Sequence, residues 1–299
     1  MYNNLKIYKK LYTMDFDYKS ISYAQKLSNL QNYYHTSVAF AQALNITRMT
    51  LIAWNDNPQK IKVKNQDKID LLWCQYIFLP NVSNISEVVK GIELGSFLFE
   101  PAIMDKTLRQ MAAGSLEIET GTQEVDFDAI VLDNTVPNNF HATSVAEVQN
   151  IHYLTQEIAQ NFQAEITLQQ IKDWHKVLMR GLINNAGEFS TKQRVLPNVD
   201  TQLTHPNDIV EELELWVKKY NKIKYLSDIA KSHYHFEMIH PFSDGNGRIG
   251  RLIVLAQCLQ IDIKPPTINN SNKALYYILL EYAKINPTPL AYFFQACSE

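Results

Sequence analysis

The sequence predicts an all-α protein, a helical bundle with one short β-hairpin, preceded by a small helical domain. Three observations lead there. Glycine is scarce, nine in 299 residues, or about 3% against a typical ~7%, which disfavours glycine-rich β architectures. Apolar residues recur at three- and four-residue steps in segment after segment. Only Glu188–Val195 reads as extended, following the turn chemistry of Asn184-Asn185-Ala186-Gly187. With 46% hydrophobic and 20% charged residues and a mean hydropathy of −0.23, the chain can bury a sizeable core and form two domains. No apolar run approaches the ~20 residues that a bilayer helix needs, and Met1–Lys10 lacks a signal-peptide core, so a cytoplasmic protein without membrane contact is expected. Cys74, Cys258 and Cys297 stand at wide, irregular spacing, which argues against a disulfide framework and a zinc site.

Taken in order, residues 1–78 form the first expected domain, 79–94 a linker and 95–299 the second. The first seventy residues hold ten Lys/Arg against five Asp/Glu, a balance of +5 within a net charge of −3. A basic module beside an acidic body is one reading, and a solvated helix face is the other. Within the module, Ser37–Trp54 resembles the helix-turn-helix signature of bacterial DNA-binding repressors. Ala41 is small where two helices cross, and Asn45 stands at the left-handed corner where glycine is commonest. Ile46, Leu51 and Trp54 supply buried faces, and Thr47 caps the second helix. Thr47, Arg48, Met49 and Thr50 would then meet base edges of double-stranded DNA, with Lys60, Lys62 and Lys64 near phosphates. The competing reading is a small bundle that only packs on a neighbour or binds protein.

Leu79–Asn84 reads as a turn-rich connection and Asn134–Asn139 as a loop. Helices are expected over Ile166–Leu182, Asp208–Tyr220 with Asp208 as N-cap, Leu226–Ile239, Arg248–Gln260 and Lys273–Ile285.

Between the third and fourth of these lies His240-Pro241-Phe242-Ser243-Asp244-Gly245-Asn246-Gly247-Arg248-Ile249-Gly250-Arg251. Pro241 stops one helix and the next begins near Asn246 or Gly247. Gly245 and Gly247 free successive backbone N–H groups at a helix N-terminus, which makes an anion nest. Arg248 and Arg251, three residues apart, share a face and can grip phosphate oxygens. One carboxylate, Asp244, suits magnesium, which completes its shell with substrate phosphates and water. His240 can serve as a general base near neutral pH.

These residues resemble the signature of the Fic family, His-Pro-Phe-x-Asp/Glu-Gly-Asn-Gly/Lys-Arg-x-x-Arg, at every fixed position. The similarity extends over roughly Phe97 to Ala283. It implies a Fic helical bundle and transfer of AMP from ATP, with Mg²⁺ or Mn²⁺, to a Tyr, Thr or Ser hydroxyl of a protein. On that resemblance His240 deprotonates the hydroxyl, Phe242 fixes the loop, and Asp244 holds the metal. Gly245, Asn246, Gly247 and Arg248 stabilise the phosphates, and Arg251 binds the γ-phosphate. A flap of Phe189, Ser190, Thr191, Lys192, Gln193, Arg194 and Val195 pairs with the target by strand addition, although Ser190 stands where relatives often carry a basic residue. Tyr276 and Tyr277 resemble residues that flank the adenine.

Upstream, Ser115-Leu116-Glu117-Ile118-Glu119-Thr120 resembles the family's inhibitory helix, Ser/Thr-x-x-x-Glu-Gly/Asn, with Thr120 departing from it. The resemblance implies that Glu119 pairs with Arg251 and takes the γ-phosphate's place, Glu117 being the rival carboxylate, and that removal of AMP is a possible reverse activity. Expected partners are ATP, a target protein that includes the chain itself, duplex DNA and a second copy of the chain. Two alternatives stand: transfer of UMP or phosphocholine, and a DNA-binding regulator that only senses nucleotide.

Overall fold

The computed structural model describes residues 21–73, 76–77, 101–138, 140–161, 165–194, 203–284 and 286–298. The expected linker, Cys74 and Val195 lie outside them. The chain divides into two compact units, Met1–Gly91 with Ala274–Leu279, and Ile92–Lys273 with Leu280–Glu299.

The first unit contains α1 (Tyr23–Tyr34), α2 (Ser37–Ala43), α3 (Arg48–Asp56) and α4 (Val63–Trp73), with a 3-10 turn at Pro58–Lys60. Polar caps set the starts: Ser22 and Gln25 form a capping box on α1, and Thr36 accepts the Ala39 N–H. Thr47 accepts the Thr50 N–H at 3.1 Å. His35 and Asn45 turn the corners in the left-handed region, at φ 58° and 55°. Leu27, Leu30, Phe40, Leu44, Leu51 and Trp54 are buried between the helices, with Ala41 beside them, whereas Ile46 is only half-buried.

The second unit contains α5 (Pro101–Thr120), α6 (Glu124–Val131), α7 (Ala142–Asn161), α8 (Leu168–Leu178), α9 (Ile209–Tyr220), α10 (Leu226–Ile239), α11 (Asn246–Gln260), most residues of α12 (Lys273–Tyr282) being grouped with the first unit, and α13 (Thr288–Ala296). Helix α11 is the axis: α5, α7, α8 and α10 pack around it, and it is buried without a break from Arg248 to Cys258. A helix covered on every side carries apolar residues all round instead of along one stripe, as the run Leu252-Ile253-Val254-Leu255-Ala256 does here. Helix α10 lies between α9, α11 and α13 and stops because His240 turns left-handed, φ 49° and ψ 56°, just before Pro241. Gly245, φ 78°, opens α11. The six residues from His240 to Gly245 thus form a short loop held at both ends by buried helices.

The structure departs from the sequence reading in three places. Helix α8 is shorter than expected, because Gly181 at φ 77° turns the chain after Leu178. Asp208 precedes α9 without a capping bond; the start is set by the 3-10 turn Pro206–Asp208, where the His205 ring accepts the Asn207 N–H. The hairpin expected up to Val195 is not formed among the described residues. Phe189–Arg194 is irregular chain, and its Ser190 N–H donates to the Pro241 carbonyl at 2.8 Å rather than to a partner strand. Among the described residues no helix is long and apolar enough to cross a membrane.

Candidate active site

The loop between α10 and α11 is fixed from inside. Asn246, 2% exposed, accepts the Phe242 N–H at 2.8 Å and donates to the Phe242 carbonyl at 2.9 Å. Its side chain is therefore spent on loop shape, so any phosphate contact from Asn246 falls to its backbone N–H. Phe242 is fully buried and lies flat on the His175 ring, centroids 3.7 Å apart at 3°. His175 accepts the Gly187 N–H at Nδ1, 2.8 Å, so its proton sits on Nε2, 3.0 Å from the Asp244 carbonyl oxygen. Burial pushes this imidazole down to about 4, and the Asp244 carbonyl only partly opposes that shift.

His240 follows the end of α10 with its Nδ1 3.3 Å from the Glu237 carbonyl. A carbonyl can only accept, so Nδ1 carries the proton and Nε2 is left as the basic nitrogen. Burial lowers the His240 pKa, with the Glu237 carbonyl opposing and Arg194 assisting. The ring is therefore neutral near pH 7.

Asp244 is the exposed member of the loop, its side chain 62% accessible. Its Oδ1 accepts the Gly245 N–H and an Arg248 N–H, at 2.6 and 3.3 Å. Oδ2 is left for another ligand. One accessible carboxylate beside an anion nest fits Mg²⁺ held jointly with substrate phosphates; no group of three or more metal-ligating side chains occurs among the described residues.

Arg248 is 4% exposed and donates to Glu147 on α7 at 3.1 Å, while its Nε is buried with no hydrogen-bond partner among the described residues. Arg251, 3% exposed, reaches α5: it donates to the Ser115 hydroxyl at 2.8 Å, the Ser115 carbonyl at 3.2 Å and Glu119 Oε1 at 2.8 Å. Burial alone would raise the Glu119 carboxyl. The charge and hydrogen bond of Arg251, with Arg248 and Lys273 behind, hold it below the usual range instead.

Gly247 explains how the acid fits. A Cβ there would stand 2.6 Å from Glu119 Oε1, so the missing side chain is the space the carboxylate fills at the first turn of α11. The rival, Glu117, points elsewhere and accepts the Asn270 N–H. Thr120 donates back to the Leu116 carbonyl, and Gly121 at φ 78° ends the helix one residue later.

The sequence reading named His240, Phe242, Asp244, Gly245, Asn246, Gly247, Arg248, Arg251, Ser115 and Glu119, and all ten lie around this loop. Ser190 is buried and closes a local turn with Lys192, while Thr191, Lys192 and Gln193 are exposed. Phe189 lies 5.4 Å from the Phe242 ring. Tyr276 and Tyr277 group with the other unit; Tyr276 is buried and Tyr277 is 43% exposed. The sequence reading missed His175 and Glu147, whose partners Asp244 and Arg248 are distant in sequence, and Glu237, whose carboxyl is buried against Gly250.

Residues 165–258 match the Fic/DOC family. This stretch is a Fic domain. Curated relatives named protein adenylyltransferase Fic include one from Drosophila grimshawi, 28% identical over 148 residues, or 45% of this chain and 29% of the relative. A relative of the same name from Nematostella vectensis is 24% identical over 64% of this chain and 51% of its own length. The chain thus spans less than a third of the fly relative and about half of the anemone one. Among solved structures, Fic-1 from C. elegans superposes with a TM-score of 0.62 at 19% identity, covering 98% of this chain and 88% of that one. A Fic domain-containing signalling protein from Bacteroides thetaiotaomicron gives 0.59 at 18% identity over 73% and 92%. At such identities the structures speak for the fold.

Proposed function

We propose that the chain is a protein adenylyltransferase that moves AMP from ATP to a Tyr, Thr or Ser hydroxyl of a protein and is held inactive by Glu119. The observation that carries this reading is the glycine-shaped space at the first turn of α11, filled by a carboxylate that Arg251 binds. A site that holds one anion on backbone N–H groups and a buried guanidinium suits the γ-phosphate of a nucleotide.

In the reaction, the target hydroxyl gives its proton to His240 Nε2 and its oxygen bonds to the α-phosphorus. The bond from that phosphorus to the β-bridging oxygen breaks and pyrophosphate leaves. Arg248, anchored by Glu147, offers its remaining N–H groups to the phosphates, and Asn246 keeps the loop backbone in register. Mg²⁺ or Mn²⁺, held by Asp244 and the phosphates, supplies charge neutralisation when bound. Catalysis of this kind rests on positioning and electrostatics. The exposed run Thr191–Gln193 receives the target segment by backbone pairing.

The test is incorporation of label from α-labelled ATP with Mg²⁺ into the chain itself. Glu119→Gly labels strongly, the parent weakly and the Glu119→Gly, His240→Ala double variant not at all. A silent Glu119→Gly variant overturns the reading, and stronger labelling from UTP redirects it to uridylyl transfer. We also propose that α3 meets duplex DNA, which is favoured by the exposed Arg48 and by Met49, 72% accessible, at its first turn.

A further inference from the structure

His175 takes no part in the reaction as written, yet it joins two backbone segments that the reaction needs. It is fully buried on α8. One ring nitrogen accepts the Gly187 N–H, the other donates to the Asp244 carbonyl, and the ring face covers Phe242. Gly187 is suited to this contact: its φ is 86°, and a Cβ would stand 3.0 Å from the Lys176 side chain and 3.1 Å from the Lys172 carbonyl. Its backbone can therefore come up against α8 only without a side chain. Two residues on, the Phe189 ring meets Phe242, and the Ser190 N–H bonds to the Pro241 carbonyl. The Phe189–Arg194 segment and the His240–Gly245 loop thus share one imidazole and one aromatic stack.

We propose that His175 is a positioning residue that couples the target-docking segment to the phosphate-holding loop, so that the acceptor hydroxyl and the nucleotide are presented in one register. The inference rests on the adenylyl-transfer reading. A neutral imidazole suits the post because it offers an acceptor and a donor at separate points of a flat ring that can also stack. Phenylalanine keeps the stack and loses both bonds, leaving the buried Gly187 N–H and the part-buried Asp244 carbonyl without the ring. Glutamine can keep one bond and loses the stack.

Two arms test this. The first is amide hydrogen exchange on the otherwise unaltered full chain. In His175→Phe the amides of Gly187, Ser190 and Phe242 exchange together at least about tenfold faster, a shift the loss of one or two hydrogen bonds can supply, while amides in the middle of α11 keep the parent's protection. The second arm is auto-modification from α-labelled ATP in the Glu119→Gly background, where His175→Phe lowers the turnover of label and leaves KM for ATP within about twofold of its parent. His175→Gln falls between the two in both arms. Acceleration confined to Gly187, with label transfer unchanged, overturns the proposal. So does a fall in protection spread evenly over the second unit in both variants, which is the mark of a merely structural residue. If Glu119→Gly itself transfers no label, the adenylyl-transfer reading fails, and the exchange arm still decides whether the two segments move as one.

Discussion

In the proposed function a phosphate competes with the Glu119 carboxylate for Arg251, so the charge of residue 119 would set how readily ATP binds productively. Hydrogen bonds that carry charge are about twice as strong as neutral ones. Glu119→Gln keeps the bond to Arg251 and loses the charge, so its auto-modification is expected about tenfold above the parent and below Glu119→Gly; labelling rates for the three chains check this order. His240 gives a second prediction. Its proton-accepting form is the neutral one, and burial lowers its pKa, so transfer by Glu119→Gly persists to more acid pH than a free imidazole would allow. A rate profile whose acid limb bends at or above 6.5, the ordinary imidazole value, contradicts that. Residues of the loop were legible in the sequence because their chemistry is local. His175 was not, since its partner Asp244 lies 69 positions away and is reached through a carbonyl. Glu147 meets Arg248 across 101 positions, and no spacing rule spans such a distance.

At the scale of elements, the contact between α10 and α11 decides stability and its pH dependence. Gly250 allows the Glu237 carboxyl to lie against the α11 backbone, where a Cβ would collide with Oε1. That oxygen is buried without a hydrogen-bond partner among the described residues. Burial raises the Glu237 carboxyl to about 7, with Arg251 opposing and Glu119 adding to the rise. The unfolded chain releases this proton near 4.5 and the folded chain only near 7, so stability is lost as pH climbs between those values. Glu237→Gln removes the loss: its Tm gains on the parent from acid to neutral pH, by up to roughly 3 kcal/mol of unfolding free energy, and levels off above. Asn246→Ala is expected to cost roughly 2 kcal/mol, since both of its loop bonds go, as a denaturant midpoint would report. Helices α9, α10 and α11 were visible in sequence as apolar steps. Helix α7 was not, because Asn150 and Thr155 interrupt its buried face; Asn150 donates instead to the carbonyls of Leu178 and Arg180, 28 and 30 positions on. The flap's turn and extended run were legible over residues 184–194, but the bond from the Ser190 N–H to the Pro241 carbonyl was not, because it joins segments about fifty positions apart.

For the whole molecule, the charge division bears on the two kinds of binding proposed above. The first seventy residues carry +5 and the remainder −8, so duplex DNA held by α3 of the intact chain should dissociate steeply with added salt, as counterion release requires. Arg48→Ala should weaken that binding, and a fluorescence titration at two salt concentrations that shows neither effect leaves the first unit as a protein-binding module. ATP, in the proposed reaction, would by contrast meet buried arginines of the second unit, which salt screens little. The space beside Gly247 has a consequence for how such a chain can vary. The missing side chain is what admits the carboxylate, so Gly247→Ala is expected to crowd Glu119 away from Arg251 and to raise auto-modification in the labelling assay. Under the proposed reading, release of the brake is then reachable from α11 as well as from α5.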